Sequence, residues 1–436
     1  MNRNLRLTII AGVAVATIAL GACSKIKPVT APAVTSGSAD FSVIAAIGTS
    51  VTSGFESGGL VEAHQLKAFP LAFAHQVGAT FTYPGISPDG FPALLRLVSI
   101  VGPVINNSGR VEGTELYRSQ TAAFNNLGVT GSILFDVTSN SLYGRNPTFT
   151  GKFFDYVMRG RAGTLLTEAL SLNPTFVILE EGSNEVLGPA LTGGGTPAAT
   201  PAQYAGLLTA TLNALAPSTS SRKVAIFNIP DVTSIPYFTT ISPRLDPTGA
   251  CRVLGQSGPL ADGDFVLLTA GPYLAAGTGV PAPCGGNGSA LPDTTYLLAA
   301  NAASIQATID AYNAAIDTVA LRDNVVKVDF NAVLDRAATT GIAIQGQVYT
   351  NKFLTGGLFG LDGIHPNDLG QGVLCNALID AVNAKFGARV PRVNLADFAT
   401  ATSSRAVPVG ANGFPQVDGL GAYLGAMRQL PRTPPR

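Results

Sequence analysis

The chain contains no tryptophan, 3 methionines and 3 histidines in 436 residues. The histidines are scattered as His64, His75 and His365, and there is no His-Glu-x-x-His pattern. Neither a metal site nor any other cofactor is expected on that basis. Charge is equally sparse: 12 % of residues are charged, against about 25 % in an ordinary soluble protein. The 27 basic and 27 acidic side chains cancel, which leaves no basic face for nucleic acid. The 4 cysteines form no C-x-x-C pair, which argues against a structural zinc knuckle. No internal repeat is present. What the chain does have is 46 % apolar residues, with 49 glycines and 29 prolines. That combination describes a sizeable core surrounded by many turns and long irregular excursions.

The first residues read as an address and not as part of a fold. Arg3 and Arg6 precede an apolar run of 16 residues, Leu7 to Ala22. The run is shorter than the ~20 residues of a spanning helix and has the make-up of an export signal. Leu20-Gly21-Ala22-Cys23 resembles a bacterial lipobox, in which the cysteine is lipidated and becomes the mature N-terminus. Residues 1–22 are therefore expected to be a lipoprotein signal peptide, with Cys23 carrying the membrane anchor. Ser24, where an aspartate would resemble an inner-membrane retention signal, favours the outer membrane, on its periplasmic or cell-surface face. Residues 23–40 have little to bury and are expected to form a flexible tether spanning roughly 20–25 Å. Disulfides persist in exported proteins, so Cys251 and Cys284, which flank a Gly/Pro/Ser-rich stretch, are expected to pair. Cys375 lies in an apolar helical pattern and is expected to be a buried free thiol.

Four short apolar runs, Phe41 to Ile47, Thr175 to Leu179, Lys223 to Ile229 and Val325 to Phe330, are consistent with buried strands. Glu62 to Val77 reads as a helix kinked or split at Pro70, Gln203 to Leu215 as a second helix and Leu369 to Phe386 as a closing one. Ile305, Ile309, Tyr312, Ile316 and Val319 are spaced alternately by four and three, which is one face of a long helix. Strands alternating with helices imply an α/β fold, a parallel sheet covered on both faces. Residues 79–120, 186–202 and 232–295 carry Pro, Gly and Ser clusters without a strong period and are read as excursions around one domain, 41–395. Residues 396–436 form a C-terminal extension expected to be partly disordered.

One serine stands out. Ser50, in Ile47-Gly48-Thr49-Ser50, follows a buried strand by two residues, and strand C-terminal edges of open parallel sheets are where ligands bind. A hydroxyl nucleophile needs a base, and the base needs a carboxylate to orient it. Asp362 and His365, in Gly360-Leu361-Asp362-Gly363-Ile364-His365-Pro366, supply both on one tight turn. His64 and His75, by contrast, fall in the helix-like segment 62–77 and are read as surface or helix residues. Asn184, in Glu180-Glu181-Gly182-Ser183-Asn184-Glu185, follows another strand, where its amide can donate to a developing oxyanion. Gly131 can offer a backbone N–H to the same oxygen. Each of these two could equally be plain turn chemistry. The three glutamates invite a glycosidase reading, which their spacing alone does not support. A classical Gly-x-Ser-x-Gly elbow would need glycine where Thr52 stands.

Ser50, Gly131, Gly182-x-Asn184 and Asp362-x-x-His365, in that order, resemble the blocks of the SGNH hydrolase superfamily, the GDSL-type esterases and lipases. The resemblance spans residues 41 to about 388. It implies a three-layer α/β/α sandwich with a central parallel, flavodoxin-like sheet. It further implies Ser50 as nucleophile, His365 as base, Asp362 as its orienting partner, and Gly131, Asn184 and the Ser50 N–H as oxyanion hole. Gly-Thr-Ser replaces the family's Gly-Asp-Ser; Thr49 can still cap a following helix. The expected function is ester hydrolysis through an acyl-enzyme on a small-molecule or lipid-like ester. O-acyl or acetyl transfer on a surface glycan, and an anchored lipoprotein with a decayed site, remain alternatives. The excursions 79–120 and 232–295 are expected to build the acyl or alcohol pocket.

Overall fold

Successive residues of the apolar runs point to opposite faces of a sheet, so both faces must be covered. The computed structural model describes residues 33–100, 102–140, 149–399, 414–421 and 424, and it holds such a sheet. Its strands are β1 (Ile44–Gly48), β2 (Asn126–Gly128), β3 (Phe176–Glu180), β4 (Lys223–Phe227) and β5 (Val325–Val328), all parallel, in the order β2-β1-β3-β4-β5. The strand Asn126–Gly128 is an addition to the sequence reading, which assigned no strand there. Val325 to Phe330 proves shorter than read, because Phe330 already begins a helix capped by the Asp329 side chain.

Alternation sorts the strands' side chains into two cores. Ala45, Ile47, Leu127, Val177, Leu179, Val224 and Ile226 face one side; Ile44, Ala46, Phe176, Ile178, Ala225, Phe227 and Val328 face the other. The helices used below are α1 (Ser50–Ser53), α2 (Phe69–Val77), α3 (Leu165–Ser171), α4 (Ser183–Ala190), α5 (Pro201–Leu215), α6 (Ala299–Ala320), α7 (Phe330–Ala338) and α8 (Asp368–Phe386). Helices α3, α4, α5 and α6 cover the first face, and α2 and α8 the second. Along α6 the buried residues include Ile305, Ile309, Tyr312, Ile316 and Val319, the stripe expected from the spacing. The result is the α/β/α sandwich with a flavodoxin-like strand order.

Prolines decide two local outcomes. The segment 62–77 is split: Glu62–Gln65 is one short helix, and Pro70 sits in the first turn of α2, where its missing N–H costs nothing. Pro189 lies inside α4, a helix where the sequence reading saw only an excursion beginning at 186. The Glu185 carbonyl that Pro189 cannot bond accepts instead from the Ala198 N–H at 2.9 Å.

The excursions have structure of their own. Arg96–Ser99 and Val104–Asn106 form an antiparallel pair, and Gln416–Val417 joins it in parallel. Leu420 and Leu424 are buried, so the described part of the C-terminal extension packs onto the 79–120 excursion. At the other end of the described chain, Ser38 N–H bonds the Phe386 carbonyl at 2.8 Å. Cys23 and the rest of residues 1–32 lie outside the described residues. No helix among the described residues is long and apolar enough to cross a membrane.

Cys251 and Cys284 are joined by a disulfide, and Cys375 is a buried free thiol whose pKa burial pushes up. Closing a loop of 33 residues stabilises a fold by about 3–4 kcal/mol through the entropy of the unfolded chain. Serine at both positions is expected to cost about that much in urea unfolding; an unchanged midpoint would contradict it.

Candidate active site

The order β2-β1-β3 makes β1 and β3 the switch point of the sheet, where loops leave in opposite directions and a crevice opens. Gly48 is paired in register with Glu180, so the turn after β1 and the turn after β3 emerge side by side. Thr49 caps α1, accepting from the Val51 N–H at 3.4 Å, and Ser50 is the helix's first residue.

Glu180 holds this turn. Its carboxylate accepts from the Thr49 N–H at 3.0 Å, from the Thr49 hydroxyl at 2.8 Å and from the Thr52 hydroxyl at 2.9 Å. Burial raises Glu180 to about 7, against the pull of those donors. Threonine at position 49 is thus matched to a buried acid. An aspartate there would set two carboxylates against each other.

Asp362 and His365 come from a narrow loop between Leu358 and Asn367. Asn367 N–H bonds the Leu358 carbonyl at 3.0 Å, Gly360 N–H bonds the His365 carbonyl at 2.9 Å, and the Asn367 side chain caps α8. Asp362 Oδ1 accepts from the N–H groups of Ile364 and His365, both at 2.9 Å. Its Oδ2 accepts from Gly58 N–H and lies 2.9 Å from His365 Nδ1. Burial works to raise Asp362, but the His365 charge and these donors hold it below the usual carboxylate range. With Nδ1–H given to Asp362, His365 Nε2 is left to accept from Ser50 Oγ, 2.9 Å away. The Phe55 ring packs against the imidazole, centroids 4.6 Å apart.

A third turn, the one after β2, carries Gly131. Val129 N–H bonds the Gly48 carbonyl at 2.8 Å and Ser132 N–H returns to Val129 at 3.0 Å, which brings Gly131 to the end of β1. Gly131 has φ of +82°, natural only for glycine. Asn184 Nδ2 donates to the Ser132 carbonyl at 2.7 Å, leaving its second hydrogen available. The turn before it requires Gly182: φ is +120°, and a Cβ there would lie 2.6 Å from the Tyr204 hydroxyl. None of Glu180, Glu181 and Glu185 faces the cleft, and each is buried, an arrangement with no place for a glycosidic bond between two of them.

The cleft beside Ser50, Asn184 and His365 has a volume of about 80 Å³. Its walls are Val232 and Ile235, Val333, Leu334 and Ala337 of α7, Ile342, and Val373 and Leu374 of α8. The 232–295 excursion contributes only its first residues. The 79–120 excursion, expected to share in this pocket, instead lines a separate cavity of about 510 Å³ with Ile86, Phe91, Thr114 and Arg118. This corrects the sequence reading: α7 and α8 build the pocket, and their apolar residues looked like core.

These observations coincide with a comparison against known families, in which the model of the GDSL-like lipase/acylhydrolases matches residues 44–378. The chain belongs to this family, within the SGNH superfamily. No individually curated protein matches the chain. Membership assigns it to esterases and acylhydrolases in general. Where the family has Gly-x-Asn-Asp this chain has Gly182-Ser183-Asn184-Glu185, and Glu185 accepts from the Leu134 N–H at 2.8 Å.

His64 lies in the short helix Glu62–Gln65, as read, but its side chain has partners the sequence did not suggest. Its side chain is 19 % exposed, with Nδ1 2.9 Å from Asp368 and Nε2 3.4 Å from Glu56. Burial alone would lower its pKa; the Asp368 bond and the charges of Glu56 and Asp368 raise it instead. Among the described residues these three are the group near enough to hold a metal; Asp368 pairs with Nδ1, and burial raises Glu56 to about 8, against the pull of the His64 charge. The cluster ties the Glu56–Gly58 turn, which bonds Asp362, to the first turn of α8. Nothing in the sequence linked positions so far apart. His75 is exposed on α2, as read.

Thr49→Asp is expected to lower stability by about 1–3 kcal/mol, the cost of an unmatched buried polar pair. Glu180→Gln in the same chain should recover part of that loss. Equal melting temperatures for wild type and Thr49→Asp would refute the matching.

Proposed function

We propose that the protein is a carboxylic-ester hydrolase that works through an acyl-enzyme on Ser50 and prefers esters with an apolar acyl chain. The observation that carries this reading is the hydrogen-bonded line from Ser50 Oγ through His365 to Asp362, opening onto an apolar cleft. Ser50 Oγ attacks the ester carbonyl carbon while His365 Nε2 takes its proton. The carbonyl oxygen becomes an oxyanion and accepts from the Ser50 N–H, the Gly131 N–H and the second hydrogen of the Asn184 amide. Collapse breaks the bond to the alkoxy oxygen, which leaves as the alcohol with the proton from His365. Water, deprotonated by His365, then attacks the acyl carbon, and the acid departs as Ser50 regains its hydrogen. Asp362 holds the tautomer and stabilises the imidazolium throughout.

The acyl group fits the cleft between α7 and α8 because its walls carry little that could satisfy a polar chain. Each methylene buried there is worth about 0.8 kcal/mol, so kcat/KM should rise roughly fourfold per added methylene until the cleft fills. A p-nitrophenyl ester series of increasing chain length tests this. Ser50→Ala should lower turnover by at least about 10³-fold, and Leu334→Trp should shift the preference to shorter chains. Equal turnover by wild type and Ser50→Ala sinks the nucleophile, whereas a flat chain-length profile sinks the acyl pocket alone.

We further propose that the enzyme acts outside the cytoplasm, held to the bacterial outer membrane through lipid on Cys23. The lipobox-like Leu20–Cys23 and the disulfide between Cys251 and Cys284 support this, since such bonds persist in oxidising compartments. Cys23→Ala should move the protein from the membrane to the soluble fraction; unchanged membrane association would count against the anchor.

A further inference from the structure

Behind the turns that converge on Ser50 lies a group of carboxyls that ester hydrolysis as described does not use. Asp136, Glu180, Glu181 and Glu185 are 0–4 % exposed. Glu180 accepts from three donors, as an anion would require. Glu181 is provided for quite differently. Its one side-chain partner among the described residues is Ser132 Oγ at 2.9 Å, and its Oε2 is buried with no donor among the described residues, as is Oε2 of Glu185.

The groups facing Glu181 are acids and hydroxyls. They are Glu180 from β3, Glu185 from α4, Asp136 from the helix Leu134–Thr138, Ser132 from the turn after β2, and Tyr204 from α5, whose hydroxyl donates to the Glu181 carbonyl at 3.1 Å. Burial first, then the charges of Glu185 and Glu180, hold Glu181 well above the ordinary carboxylate range. An ionised carboxylate in this place would have a single hydroxyl to accept from and would face other acids; such a group keeps its proton instead.

A neutral carboxyl has a hydrogen to give, and Ser132 Oγ is the atom within reach. The serine hydroxyl carries a single hydrogen. Having accepted from Glu181, it directs that hydrogen to the Gly48 carbonyl, 3.2 Å away. Ser132 is thereby tied by its side chain to the end of β1 and by its carbonyl to the Asn184 amide. We infer that Glu181 is a carboxylic acid at neutral pH that donates to Ser132 and so positions the turn carrying Gly131 and Ser132, with the Asn184 amide, around the reacting carbonyl. Glu181 touches no substrate; it is a positioning residue. Once ionised at alkaline pH it can only accept, Ser132 must turn its hydrogen from Gly48 to Glu181, and the turn loses its tie to β1.

The protonation is testable without reference to turnover. In the infrared difference spectrum between wild type and Glu181→Gln at pH 7, wild type should show the carbonyl band of a protonated, buried carboxylic acid; absence of that band overturns the inference. The catalytic consequence rests on the ester-hydrolase reading and has its own readout. Glu181→Ala should lower kcat about tenfold with little change in KM, while Glu181→Gln, whose amide N–H can donate to Ser132, should retain the larger part of kcat. Glu181→Gln impaired as deeply as Glu181→Ala, with both folded by thermal unfolding, would also overturn the positioning role. Wild-type inactivity on every ester would instead refute the hydrolase reading and leave the infrared result standing.

Discussion

The site depends on one register: Gly48 of β1 opposite Glu180 of β3. Parallel pairing at that position places two loop origins a strand's width apart, and everything chemical is hung from them. Ser50 leaves one, and Glu180 to Asn184 leave the other. A slip of one residue would turn Glu180 away from Thr49 and send the apolar side chains of β3 to the wrong faces. The register is specified because both faces of the sheet are buried, by two cores that share the strand residues alternately.

Electrostatics in this protein is mostly a matter of where charge is withheld. The surface is poorly charged, yet acids are gathered behind the Ser50, Gly131 and Asn184 turns. Their environments separate them. Glu180 is met by the donors of Thr49 and Thr52, Asp362 by three N–H groups and an imidazole, and Glu181 by one hydroxyl. The same residue type therefore serves as a hydrogen-bond acceptor in one place and, on the proposal above, as a donor one residue later. Divergence between neighbouring titratable groups of this kind is how a single fold assigns distinct roles to like side chains.

The turn carrying Asp362 and His365 is held from two further directions. Gly58 and Ser57 reach it from the segment after α1, through Asp362 Oδ2 and the Leu361 N–H. The His64 pair with Asp368 fixes the helix that follows. The segment between α1 and α2 thus lines none of the cleft, yet it holds the turn that carries Asp362 and His365.

The sequence by itself determined the nucleophile candidate, its base and its orienting acid, the four apolar strands, the stripe of α6 and the pairing of Cys251 with Cys284. These are local signals: an apolar run, a spacing, a glycine-bounded motif, a redox compartment. Three-residue β2 escaped because Asn126 and Gly128 flank a single apolar residue, and α4 because Pro189 hides a helix whose freed carbonyl is satisfied from Ala198. Only the tertiary structure decided that Glu180 answers Thr49, that His64 bridges Glu56 and Asp368, and that the pocket belongs to α7 and α8. Hydrogen bonds between residues more than a hundred positions apart leave no periodicity in a chain, and a side chain lining a cleft has the same composition as one buried in a core.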